Sequence, residues 1–169
     1  SVWQGADGDA NARTLAQVKG DGFFYINAHG GSARNYLAPP GPVDAMIYTI
    51  LTSQFADGVP DQAIAELLGK GPRLVYGTAF NGYSVRVEGV DVPLSARYYG
   101  ITQHFVSDFM QFEDDSVVFI NVCGSADAGM AAAFHSAGAA VYLGWNGVVT
   151  VEGAAFKSAP FFVDRMVGA

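Results

Sequence analysis

Two stretches of the chain carry a nearly unbroken apolar run that ends in a reactive residue and a glycine. One is Phe23-Phe24-Tyr25-Ile26-Asn27-Ala28-His29-Gly30-Gly31, the other Val117-Val118-Phe119-Ile120-Asn121-Val122-Cys123-Gly124-Ser125. Runs of β-branched and aromatic residues closed by glycine predict central strands of a parallel sheet, and ligands of open α/β sheets sit beyond the carboxyl ends of such strands. If the two strands are neighbours in register, His29 and Cys123 arrive side by side at one sheet edge.

The remaining pattern predicts the elements around these strands. Asp9 caps a short helix through Asn11 to Lys19, closed by Gly20 and Gly22. Residues 30–42 turn to Gly, Ser, Asn and Pro, a loop suited to one wall of a cleft. Ala45 to Thr52 is extended, although a helix also suits it. Pro60-Asp61 opens a helix through Leu68, ended by Gly69-Lys70-Gly71. Arg73–Phe80 and Tyr83–Glu88 flank Asn81-Gly82, a strong hairpin signal. Ile101, Phe105, Phe109 and Phe112 recur at helical spacing, which predicts one amphipathic helix over Ser95–Phe112, with Glu113-Asp114-Asp115 connecting it to the cysteine strand. A helix from Gly129 stops at Gly138, Ala139–Trp145 is a strand, and Phe156–Val167 a terminal helix. This final alternation is the signature of right-handed parallel crossovers.

Composition narrows the function classes. The chain has 169 residues, half of them apolar, enough for one α/β domain with a core that needs neither metal nor disulfide. Its single cysteine forms no internal disulfide. A formal charge of −7, with nine lysines and arginines spread thinly, supplies no basic stripe, so nucleic acid is not an expected partner. Polar residues and glycines interrupt every apolar stretch before bilayer-spanning length, so no membrane partner is expected either. No signal-like segment follows Ser1, so the chain reads as a processed product or an excised domain, and its location stays open, an extracellular one included.

Chemistry centres on Cys123 and His29. A thiol just before a helix start gains from the helix dipole and its unpaired N–H groups. His29 is placed to take the thiol proton and return it to a leaving amine. Backbone N–H groups of Gly30 and Cys123 suit an oxyanion hole, which glycine leaves open to a carbonyl. The competing reading of Cys123 is a small buried apolar filler. His104, beside an apolar helix face, and His135, near a helix end, are structural or solvated. No Cys/His spacing matches a zinc site, so no metal is expected. His29-Gly30-Gly31 also suggests an esterase oxyanion loop, but that fold needs a small residue where Asn121 stands and a catalytic histidine late in the chain.

A strand ending in His-Gly, a later strand ending in Cys, and an Ala/Gly-rich helix leading to Val141-Tyr142-Leu143-Gly144-Trp145 resemble the caspase-like cysteine peptidases, the clan of caspases, gingipains, clostripain, separase and legumain. Residues 20–31 and 116–149 carry the likeness, which is strongest to the gingipain-related and CHAT branches. It implies a three-layer α/β/α fold with a mainly parallel central sheet plus a β-hairpin insertion. It also implies a cofactor-free dyad of His29 as base and Cys123 as nucleophile, with Gly30 and Cys123 N–H groups as oxyanion hole. Asn121 would line the primary specificity pocket, while Trp145 and Asn146 would lie beside the substrate backbone; a core aromatic is the other reading of Trp145. Such domains have two strands before the histidine strand, so another polypeptide completes the sheet or the 169 residues are one domain of a larger protein. The expected function is a cysteine endopeptidase acting on a peptide or protein substrate, and the alternative is an inactive relative that binds a peptide or partner protein. A thiol-dependent esterase or transpeptidase shares the same dyad.

Overall fold

The apolar runs become strands, divided between two sheets. The computed structural model describes residues 10–34, 46–56, 58–69, 72–87 and 90–168. In chain order the elements are α1 (Ala12–Leu15), β1 (Lys19–Asn27), β2 (Gly30–Arg34), β3 (Met46–Phe55), α2 (Gln62–Gly69), β4 (Leu74–Val87), β5 (Val90–Thr102), α3 (Gln103–Phe109), β6 (Gln111–Asn121), α4 (Ala128–Ser136), β7 (Val141–Leu143), a widened π-type helical stretch Val151–Ser158, and α5 (Ala159–Val167). Among the described residues, one sheet is parallel in the order β1-β6-β7 and the other antiparallel in the order β2-β3-β5-β4. The protein is therefore mixed α/β. The expectation of a mainly parallel central sheet is corrected: the parallel sheet is small, and β2–β5 pair as antiparallel neighbours.

β1 and β6 run in register, Phe23 opposite Val117 through Asn27 opposite Asn121. Successive side chains alternate between faces, so Phe24, Ile26, Val118 and Ile120 share one face and are all buried. Phe134 of α4, fully buried, covers that face, with ring centroids 6.2 Å from Phe24, 5.6 Å from Phe112 and 5.4 Å from Tyr142. The same core takes in Ile50 of β3, Ile101 of β5 and Phe105 of α3, which joins the two sheets. On the opposite face Phe119 meets Phe162 of α5 edge-on at 5.3 Å.

Several local expectations yield to tertiary pairing. Ser95–Thr102 is strand, not helix; Tyr98, Tyr99, Ile101 and Thr102 favour a pleated surface, and β5 is held between β3 and β4. The helix begins only at Gln103, where the Thr102 side chain accepts from the His104 N–H at 3.2 Å. Phe105 and Phe109 keep their helical contact at 5.1 Å, whereas Phe112 belongs to β6. The acidic 113–115 segment is likewise inside β6, exposed.

The hairpin exists, but β4 and β5 stay paired past Asn81-Gly82, as far as Val87 opposite Val90. Asn81-Gly82 falls in a bulge: Phe80 pairs Ser95 and Ser84 pairs Pro93, so β4 carries two residues more than β5 there. The Val85–Val92 and Val87–Val90 pairs extend the ladder past the glycine. Near the start, Asn11 caps α1 by accepting from Thr14 N at 3.1 Å, Asp9 lies outside the described residues, and Gly20 and Gly22 are inside β1 rather than closing a helix. Of the expected loop 30–42, Gly30–Arg34 is β2 and the rest lies outside the described residues. The helices from Pro60-Asp61 and before Gly138 form as expected; Asp61 accepts from Ile64 N at 3.1 Å, and Gly138 at φ +109° ends α4.

Candidate functional site

The last register pair of the parallel sheet, Asn27 with Asn121, is followed two residues later on each strand by His29 and Cys123. Just past His29 the chain crosses to the antiparallel sheet, anchored where Leu51 N donates to the His29 carbonyl at 2.8 Å. Gly30 is required at this crossing. A Cβ there would fall 2.3 Å from Val122 Cγ1 and 2.7 Å from the Thr49 carbonyl oxygen. The residue after the histidine therefore abuts the residue before the cysteine. Tyr48 of β3 fills the junction, donating its hydroxyl to the Cys123 carbonyl at 2.7 Å.

The turn after β6 is held from several sides. Ser125, fully buried, donates to the Ile120 carbonyl at 2.7 Å and accepts from Trp145 N at 2.9 Å. Tyr142 donates to the Ser125 carbonyl at 2.5 Å. Gly124 N donates to the Gly147 carbonyl at 2.9 Å and Ala126 N to the Trp145 carbonyl at 2.8 Å, so the 145–149 segment lies along the turn. Burial raises the hydroxyl pKa of Tyr48 above its usual 10.0, and negative charge at Tyr142, Cys123 and Asp127 adds to the effect. Tyr142 is raised the same way, by burial first and Asp127 second. Both hydroxyls stay protonated donors.

Cys123 is half-buried, and its sulfur is engaged by Val149: the Val149 N–H donates to Sγ at 3.4 Å, and Sγ lies 3.6 Å from the Val149 carbonyl. Cys123 does not stand at the helix start expected for it. α4 starts only at Ala128, and the Asp127 carboxylate occupies its N-terminus by accepting from Met130 N at 2.8 Å.

His29 is exposed and lines two adjoining clefts, of about 340 and 410 Å³. One is walled by Asn27, Leu51, Ser53 and Tyr98, the other by Gly30, Thr49, Tyr76 and Gly77. Cys123 lines neither.

Asn121 is 1 % exposed and bonded in three directions. Its Nδ2 donates to the Tyr25 hydroxyl at 3.1 Å and to Asn27 Oδ1 at 3.2 Å, and its Oδ1 accepts from Trp145 Nε1 at 2.9 Å. Trp145 is half-buried and joined to Asn121; Asn146 is exposed one residue further on. Thus the structure brings Asn121 and Trp145 into one cluster, Gly30 and Cys123 into another around Tyr48, and His29 to a cleft beside them. His135 is structural: Nδ1 lies 2.7 Å from the Ala139 carbonyl, so that nitrogen carries the proton. His104 is exposed on α3.

Among the described residues no group of three His, Cys, Asp or Glu is placed to hold a metal ion, and no helix is long and apolar enough to cross a membrane. No family model matches the chain, nor does any curated protein or solved structure.

Sequence reasoning missed Tyr48, Tyr25, Asn27 and Val149. Asn27 was visible as the counterpart of Asn121 in the twin motifs. The other three are brought in by pairing and by a loop remote in sequence.

Proposed function

We propose that the chain is a cysteine endopeptidase of caspase-like type, with His29 and Cys123 as its dyad. The supporting observation is the in-register pairing of β1 with β6, which brings both strand ends to one rim. The sulfur leaves its Val149 contacts and attacks the scissile carbonyl carbon. His29 accepts the thiol proton and passes it to the departing amine as the C–N bond breaks. A thioester remains, and water, deprotonated by the same imidazole, hydrolyses it and regenerates the thiol. Backbone N–H groups at Gly30 and Cys123 face the developing oxyanion. The three-layer α/β/α arrangement, completed by a further polypeptide segment along the parallel sheet, belongs to the same reading.

The clasp of Val149 on the sulfur favours a second reading, a domain that binds a peptide or partner protein without cutting it. Digestion of an unfolded protein mixture, with new termini identified by mass spectrometry, separates the two. The peptidase reading expects new termini from the natural chain and none from Cys123→Ala or His29→Ala. Termini that persist in Cys123→Ala, or their absence in every sample, overturn it.

A further inference from the structure

The polarity of the cluster around Asn121 is fixed by a single atom. An indole N–H only donates, so the Asn121 atom 2.9 Å from Trp145 Nε1 is the carbonyl oxygen, and Nδ2 faces the Tyr25 hydroxyl and Asn27. Both Nδ2 protons are then spent, and Asn121 is a buried, finished base. The amide of Asn27 must in turn present its oxygen to Asn121, which leaves its NH2 group for an outside partner. Tyr25 accepts from Asn121, so its own proton is left to donate. Tyr25 is 36 % exposed and Asn27 is exposed as well. The surface thus offers two neutral donors, with one remaining lone pair each on Asn27 Oδ1 and the Tyr25 oxygen, above the buried Asn121.

This donor pair lies on the side of the sheet that leads to the reactive residues. Asn27 and Asn121 form the last register pair, each two positions before His29 and Cys123, which stand just past the strand ends, and Asn27 lines a cleft together with His29.

We infer that Tyr25 and Asn27 select a carboxamide side chain, glutamine or asparagine, at the residue whose carbonyl is attacked; the inference rests on the peptidase reading for its position and on the hydrogen-bond polarity for its chemistry. The carboxamide oxygen accepts from Asn27 Nδ2 and the Tyr25 hydroxyl, and its NH2 donates to the free lone pair of Asn27 Oδ1. An arginine or lysine finds only the remaining lone pairs of Asn27 Oδ1 and the Tyr25 oxygen, and leaves both donors unpaired. A carboxylate finds no cation among Tyr25, Asn27, Asn121 and Trp145, and the chain's charge of −7 opposes it further. An apolar side chain strips water from both donors without replacing it.

The test measures binding and turnover separately. Peptides identical except for Gln, Glu, norleucine or Arg at one position are titrated calorimetrically into Cys123→Ala, and kcat/KM is measured for the same set with the natural chain. The glutamine peptide is expected to bind at least about tenfold more tightly than the norleucine peptide, equivalent to about 1.4 kcal/mol. Asn27→Leu in the Cys123→Ala background should bring that ratio close to one, and Tyr25→Phe should reduce it. The exposed Tyr25 site keeps the test open if Asn27→Leu does not fold. Equal binding of glutamine and norleucine, tighter binding of glutamate or arginine, a ratio that survives both substitutions, or no binding by any peptide overturns the inference. Selective binding without turnover sustains the subsite and removes the peptidase reading; turnover with no glutamine preference does the reverse.

Discussion

Replacing Gly30 by alanine inserts one methyl group where the histidine segment passes the cysteine turn. The added Cβ would stand 2.3 Å from Val122 Cγ1 and 2.7 Å from the Thr49 carbonyl oxygen, against the 3.5–4.0 Å at which carbon atoms pack comfortably. Neither neighbour has room to retreat: Val122 is fully buried, and the Thr49 oxygen is backbone of β3. Relief has to come from moving β2 away from residue 122, so Gly30→Ala should cost about 1–3 kcal/mol, as overpacked positions do. Gly22→Ala is the control. A Cβ at Gly22 meets nothing within 4 Å, and alanine in a strand should leave stability unchanged or raise it by about 0.5–1 kcal/mol. Urea unfolding followed by far-ultraviolet circular dichroism compares the midpoints at constant slope. A midpoint for Gly30→Ala at or above that of Gly22→Ala would refute the close approach, and with it the abutment of the two strand ends.

Phe134→Ala, which empties a fully buried site against Phe24, Phe112 and Tyr142, should destabilise by about 3–5 kcal/mol in the same urea experiment. Asn121→Leu leaves the Trp145 indole N–H and the Tyr25 and Asn27 groups without their partner; a loss of about 1–3 kcal/mol and a shifted tryptophan fluorescence maximum are expected. Tyr48 and Tyr142 have folded-state pKa values above the usual 10.0, so the folded state retains protons that the unfolded chain releases. Their contribution is therefore complete below about pH 10 and declines as pH rises above it. Ultraviolet titration should show these two among the eight tyrosines ionising last, and Tyr48→Phe with Tyr142→Phe should flatten the alkaline loss of stability.

How much of this was legible depends on whether neighbours in sequence decide the structure. Phe23–Asn27 and Val117–Asn121 are dense enough in β-branched and aromatic residues to be strands in any context, and their matching lengths to His29 and Cys123 anticipated the register. The spacing Ile101, Phe105, Phe109, Phe112 imitates one helix because a strand end, a short helix and a strand start all present residues to the same core. Asn81-Gly82 carries the local preference of a turn, but pairing continues past that point to Val87 opposite Val90 and leaves a bulge. Gly30–Arg34 has the composition of a loop, and only pairing with β3 makes it a strand. At the site, the Asn121–Asn27 pair follows from register alone. The sulfur's contact with Val149, 26 residues downstream, is set by a loop folded back along the turn, which no local pattern encodes.

The proposed dyad requires the His29 imidazole to act on the Cys123 sulfur at the shared rim. The most direct measurement is the rate of Cys123 alkylation by iodoacetamide at pH 7, read by mass spectrometry for the natural chain and for His29→Ala under folded conditions. If His29 takes the thiol proton, the substitution slows alkylation by at least about tenfold, because the thiolate is the reacting species. Rates equal within about twofold would contradict it.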